Sequence, residues 1–136
     1  MIPAPFPPPP PRVLPWYRAY AVAMAALYIL CFFGGLAFFF FADELAAADD
    51  EMPAALWIVY GALLTGLGVL LAAAFVAALF LPPKPWTWIY HLVLIALGMT
   101  SCCCMPVSIP LMVYWFKPET QAWFGRGPAA APAPVL

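Results

Sequence analysis

The sequence predicts an all-α membrane protein with three membrane-spanning helices. Hydrophobic residues make up 67% of the chain and charged residues only 8%. A soluble domain carries about 25% charged residues, and it would not cover so much apolar surface. Three apolar runs, over residues 19–42, 54–81 and 86–116, contain no Lys, Arg, Asp or Glu. Each run is long enough to cross a bilayer, so a polytopic transmembrane helical fold is predicted.

The N-terminal segment, residues 1–15, is rich in proline and is predicted to form a stiff, extended arm. Trp16, Tyr17 and Arg18 follow, and residues of these types are typical of the membrane interface. The first predicted span, 19–42, is too long for the apolar region of a cleaved signal peptide, so we expect it to stay in the mature protein. The transmembrane domain is predicted over residues 16–117.

The connection between the first two spans runs from Asp43 to Glu51 and is acidic without a compensating base. Acidic runs are usually solvated, and a metal site needs fixed oxygen ligands, so a solvated connector is predicted and no metal site. Pro53 is well placed to open the second span.

Small residues within the spans predict faces where helices pack closely, since helices in lipid associate by close packing. In the first two spans these residues are Gly34, Gly35, Ala62, Gly66, Gly68 and Ala72. In the third span they are Ala96, Gly98, Thr100, Cys104 and Ser108. The contacts are expected either within the chain or with a partner.

The third run is predicted to be kinked at Pro106 and Pro110, because each proline removes a helical hydrogen bond. A different topology stays open, in which the run folds back at residues 101–106 as a hairpin. The hairpin would put all five basic residues on one side of the membrane, but each half would be short for a span. We favour three spans, with a cytoplasmic N-terminus, and a C-terminal tail over residues 118–136 that turns from polar to Ala/Pro-rich.

The third run also holds the residues best suited to chemistry. His91 is the chain's single histidine and a candidate ligand for a haem-like cofactor, although an interfacial, hydrogen-bonded histidine is the favoured interpretation. Cys102, Cys103 and Cys104 are consecutive, so on a helix they point about 100° apart and do not surround one ion. We expect these cysteines to pack as small apolar residues.

The segment from Trp86 to Gly125 contains LIALGMTSCCCMPVSIPLMVYWFKPETQAWFG. This ending resembles that of small, uncharacterised bacterial inner-membrane proteins, which carry a TSC, IP, W-K-P-E and FG pattern after two or three hydrophobic helices. The resemblance implies a multi-pass protein of the bacterial inner membrane and no activity.

We therefore expect a non-catalytic accessory or assembly subunit that needs no cofactor and packs against a larger membrane complex in the lipid bilayer. The spans contain no Asp, Glu, Lys or Arg, which argues against a coupled ion transporter. The sequence has no basic patch, which argues against nucleic-acid binding. One alternative is a cofactor or thiol-redox protein that uses His91 and Cys102–Cys104. Another is a lipid-binding bundle or homo-oligomeric channel lined by Thr100, Ser101 and Ser108.

Overall fold

A computed structural model describes residues 9–101 and 104–126, and the regular structure in these ranges is helical, which confirms the all-α prediction. The helices are α1 (Val13–Phe40), α2 (Ala42–Ala48), α3 (Ala54–Phe80), α4 (Pro85–Met99), α5 (Met105–Trp115) and α6 (Pro118–Trp123). The chain divides into two compact units. Unit 1 comprises Met1–Ala19 and Phe80–Leu136, and unit 2 comprises Tyr20–Leu79.

Helices α1 and α3 are long and apolar, with 28 and 27 residues. Both are long and apolar enough to cross a membrane, judged by length and composition. Helix α3 matches the predicted second span, whereas α1 begins at Val13, earlier than the predicted 19–42. The start of α1 includes Pro15, because the first N–H groups of a helix have no intrahelical partner and a proline there sacrifices no hydrogen bond.

In unit 2, α1 and α3 meet where their side chains are smallest. A Cβ atom built on Gly61 would lie 2.8 Å from both the Gly35 carbonyl oxygen and the Phe39 nitrogen. A Cβ atom on Gly68 would lie 2.8 Å from the Phe32 nitrogen. The two backbones therefore approach so closely that only glycine fits at these positions without a shift.

The acidic connection has more structure than predicted, since part of it forms α2. Asp43 and Glu44 lie in the first turn of α2, where the positive end of the helix dipole favours carboxylates. Beyond α2, the Asp49 carboxylate accepts a hydrogen bond of 3.1 Å from the backbone N–H of Glu51. This local turn leads the chain toward Pro53 and α3.

The predicted third span over residues 86–116 is not one continuous helix, because α4 ends at Met99 and α5 begins at Met105. The indole N–H of Trp88, at the start of α4, donates to the backbone carbonyl of Trp115 at 3.4 Å. The Trp115 indole N–H donates in return to the Trp88 carbonyl at 3.3 Å. Since Trp115 ends α5, these bonds show an antiparallel helical hairpin.

The break lies before the prolines that were expected to kink the helix. Pro106 lies in the first turn of α5, where its missing N–H costs no bond, and Pro110 lies inside α5. Both prolines are therefore accommodated within α5, and α4 has already ended at Met99. Helices α4 and α5 are therefore paired as a helical hairpin.

The C-terminal segment folds back as well, although it was predicted to be a polar tail. Helix α6 ends at Trp123, and Gly125 beyond it has a φ of +71°, which is accessible to glycine without strain. The N–H of Arg126 donates to the Gln121 carbonyl at 2.8 Å, and that of Gly125 to the Ala122 carbonyl at 3.0 Å. These bonds form a Schellman-type helix end. The Ala/Pro-rich stretch of the tail lies outside the described residues.

Candidate functional site: an aromatic cluster around His91

His91 lies in the interior of unit 1 with 4% of its surface exposed. Its Nδ1 atom forms a hydrogen bond of 2.7 Å with the hydroxyl group of Tyr17. The two residues are far apart in the sequence, so this bond joins the start of α1 to α4. The direction of the bond follows the imidazole tautomer, since a neutral ring has one donor and one acceptor nitrogen.

The buried positions of α4 explain why His91 points inward. They recur at helical spacing and form one face of the helix. These positions are Thr87, Trp88, His91, Leu94, Ile95 and Gly98. Thr87 also fixes the start of the helix, because its hydroxyl group accepts a hydrogen bond of 3.0 Å from the Lys84 N–H.

Aromatic rings from three segments surround the imidazole. Its ring centre lies 4.8 Å from that of Tyr17, and 5.6 Å from those of Trp115 and Phe124. Trp115 is fully buried and also contacts Tyr17 and Phe124, at 4.8 and 5.4 Å. We name these four residues, Tyr17, His91, Trp115 and Phe124, the aromatic cluster.

The segment after α6 completes one side of the cluster. Phe124 is 3% exposed, and the Schellman-type end of α6 directs its ring toward His91. The Arg126 guanidinium lies 4.7 Å from the centre of a Trp88 ring, where a cation is attracted by the face of the aromatic system. Part of the predicted tail is therefore structural.

The environment of His91 bears directly on its candidate role as a cofactor ligand. A metal ligand needs a ring nitrogen that is accessible to the ion. Nδ1 is already engaged by Tyr17, and the ring is enclosed by neighbouring aromatic groups. This geometry fits a packed, hydrogen-bonded histidine, and the role of His91 as a cofactor ligand stays a prediction.

The cysteine cluster is only partly described. Cys104 is half-buried and immediately precedes α5, whereas Cys102 and Cys103 lie outside the described residues. Among the residues that are described, no group of three or more His, Cys, Asp or Glu side chains is arranged to hold a metal ion. The thiol-redox alternative therefore stays a prediction.

The small residues of α1 and α3 fall into two sets. Gly35 and Gly68 are buried between the helices. Gly34 is half-buried, and a Cβ atom built on it would lie 4.0 Å from the Leu64 Cδ2 atom. Ala62 is exposed, and a Cβ on Gly66 would have nothing within 4 Å. Ala72 is half-buried. Ala62 and Gly66 thus do not serve the contact within the chain.

The small residues of α4 and α5 do not share one face either. Gly98 and Ser108 are buried, Cys104 is half-buried, and Ala96 and Thr100 are exposed. The Thr100 hydroxyl donates to the Leu97 carbonyl at 2.6 Å, which ties it to its own helix. Ser108 faces the interior and Thr100 faces outward, so their hydroxyl groups lie on different surfaces of the chain.

Several residues of the cluster and of the helix contact were absent from the sequence predictions. Gly61 contacts α1 as closely as Gly68 does, and the spacing of these two glycines by seven residues was a readable signal. Trp115 was predicted only as part of the third span, and Phe124 as part of the polar tail. Their burial depends on the fold-back of α5 and α6, which no local sequence pattern predicts.

No protein-family model, no curated protein and no solved structure matches this chain.

Proposed function

We propose that this chain is an integral protein of the bacterial inner membrane that serves as an accessory or assembly subunit of a larger membrane complex. It has no catalytic site of its own in this proposal. The exposed surface of the long helices supports the membrane location. Only 17% of the most apolar window of α1, and 17% of that of α3, is buried. The core helix of a soluble protein would be mostly buried, whereas a helix in lipid exposes its apolar side chains.

The proposed topology has two spans and a helical hairpin that enters the membrane without crossing it. At 1.5 Å per residue, α4 and α5 are about 22 and 16 Å long, short of the roughly 30 Å hydrocarbon core. The turn between them would lie at membrane depth, where irregular backbone is tolerated if protein buries it.

The distribution of charge supports one orientation. All five Lys and Arg residues belong to unit 1, whereas every acidic residue except Glu119 lies between Asp43 and Glu51 in unit 2. The aromatic cluster brings the start of α1 together with the start of α4 and the end of α5. The N-terminus, the turn before α4 and the C-terminal segment would then share the cytoplasmic side, in agreement with the positive-inside rule.

One observation carries the subunit proposal, namely an exposed stripe of small residues along α3. The stripe lies beside the face that packs on α1, at helical spacing, and all its members are exposed. Its small members are Ala55, Ala62, Gly66, Ala73 and Ala77, and Val59 and Val69 lie between them on the same face. Small residues permit the close approach of another helix in lipid, so this face suits a second membrane protein.

The first experiment is mild detergent extraction from the native membrane, followed by mass spectrometry of the proteins that co-purify. We expect a partner in constant stoichiometry, and we expect Ala62→Leu to release it because the larger side chain keeps the helices apart. Ala26→Leu is the matched control, since Ala26 is also exposed but lies on α1. Purification of the chain alone, or equal partner loss in both variants, would contradict the proposal.

Topology is tested with reporter fusions. A fluorescent reporter after Leu136 should fold and fluoresce in the cytoplasm, and a phosphatase inserted between Asp43 and Glu51 should be active outside it. Two spans require these opposite results. An active phosphatase at the C-terminus would restore the three-span topology.

A further inference from the structure

Unit 1 contains a groove of about 800 Å³ beside α5. The start of α1, one face of α5 and the first residues of α6 line it. We call it the basic groove and define it by Arg12, Trp16, Leu111, Tyr114, Lys117 and Glu119. Its volume is within the range of about 300–1,000 Å³ that is usual for small-molecule sites.

The charges of the basic groove favour an anion. Arg12 and Lys117 supply two cations, and Glu119 supplies one acid. The Lys117 ammonium lies 4.1 Å from the centre of the Tyr114 ring, a contact that holds this cation against the wall of the groove. Arg12 and Lys117 come from opposite ends of the sequence, so folding brings the two charges to one groove.

The rest of the lining is amphipathic. Leu111 and Val13 are buried beneath the groove, with 6% and 8% of their surfaces exposed. Trp16 is 75% exposed, and Tyr114 49% exposed. Tryptophan and tyrosine with exposed rings are typical of the depth where headgroups meet acyl chains. The groove thus offers cations at its rim and apolar surface within.

We propose that the basic groove binds an anionic phospholipid. Arg12 and Lys117 contact the headgroup phosphate, and the acyl chain lies along Trp16 and Leu111. This inference rests on the membrane location proposed above. Basic pockets beside membrane helices are suited to anionic headgroups. A free phosphate would satisfy the two cations but would leave the apolar walls without an occupant.

The test is native mass spectrometry of the full chain released from nanodiscs, with phosphatidylglycerol or phosphatidylcholine as the competing lipids. We expect one retained phosphatidylglycerol, and weaker retention by about tenfold in the double variant Arg12→Gln/Lys117→Gln. Glu119→Gln should strengthen retention, because it removes the like charge. Lys84→Gln, which changes a basic residue outside the groove, is the matched control.

Three results would overturn the proposal. Equal retention of the two lipids would show that the net negative charge of the headgroup does not determine binding. Equal loss in Lys84→Gln would assign the effect to general surface charge. Full displacement by millimolar glycerol phosphate would assign the site to a free phosphate. The subunit proposal fails separately, if no protein co-purifies with the chain. The membrane location fails if alkaline carbonate releases the chain from the membrane.

Discussion

In unit 2 the two long helices meet where side chains are absent, whereas in unit 1 four segments meet through large aromatic side chains. The α1–α3 contact brings backbone against backbone at Gly35, Gly61 and Gly68. The aromatic cluster instead uses ring contacts and hydrogen bonds that connect Tyr17, His91 and Trp115. The comparison teaches that one chain uses two kinds of packing, and that the two kinds respond to mutation in opposite ways. A glycine contact fails when atoms are added, and an aromatic cluster fails when atoms are removed.

The largest effect is expected from Trp115→Ala, which leaves a cavity at the centre of the aromatic cluster. Truncation of a buried tryptophan typically costs about 3–5 kcal/mol in the free energy of unfolding. Unfolding in mixed detergent micelles, followed by circular dichroism, measures the change. Trp86→Ala is the control, because Trp86 lies on the same hairpin but is 54% exposed. Similar losses in the two variants would show that the cluster has no special role.

The next effect is expected from Gly61→Ala, which adds a single methyl group between α1 and α3. The new Cβ atom would lie 2.8 Å from two backbone atoms, so the helices must separate, at a cost of about 1–3 kcal/mol. Gly66→Ala adds the same group to open space on the same helix. That control should be stabilised by about 0.4–1 kcal/mol, because alanine favours the helix. The same unfolding assay checks both signs, and a stabilised Gly61→Ala would contradict the close contact.

A smaller effect is expected from Tyr17→Phe, which keeps the ring and removes the hydroxyl group. The buried His91 Nδ1 atom loses its partner at 2.7 Å, which should cost about 1–2 kcal/mol. Tyr60→Phe removes a hydroxyl group from a tyrosine that is 50% exposed and should change little. A double-mutant cycle with His91→Phe isolates the pair, and a coupling energy near zero would show that the bond contributes nothing.

The sequence was most informative about α3. Its apolar run from Pro53 onward predicted a helix over 54–81, and the observed helix is Ala54–Phe80. Length and hydropathy are local properties, so they are readable without tertiary structure. The start of α1 was less readable, because proline suggests an extended chain and yet is tolerated in the first turn of a helix.

The third run shows what local patterns do not decide. Its length favoured one continuous span, and the prolines at 106 and 110 indicated only that the helix would be disturbed nearby. The choice of a hairpin depends on the reciprocal bonds between Trp88 and Trp115, which are distant in sequence. His91 was identified as a candidate, but its partners Tyr17 and Phe124 follow from that same fold-back. The periodicity of apolar residues in the sequence does not predict long-range contacts of this kind.

The burial of Phe124 has a consequence for the order in which the protein is made. The helices of unit 2 are complete once the ribosome has passed Phe80, so α1 and α3 can pair early in translation. The surroundings of His91 are complete only after Phe124 has been synthesised. A nascent chain therefore completes its aromatic cluster after the helices of unit 2 have formed. A chain that stops before Phe124 would have paired helices and an incomplete cluster.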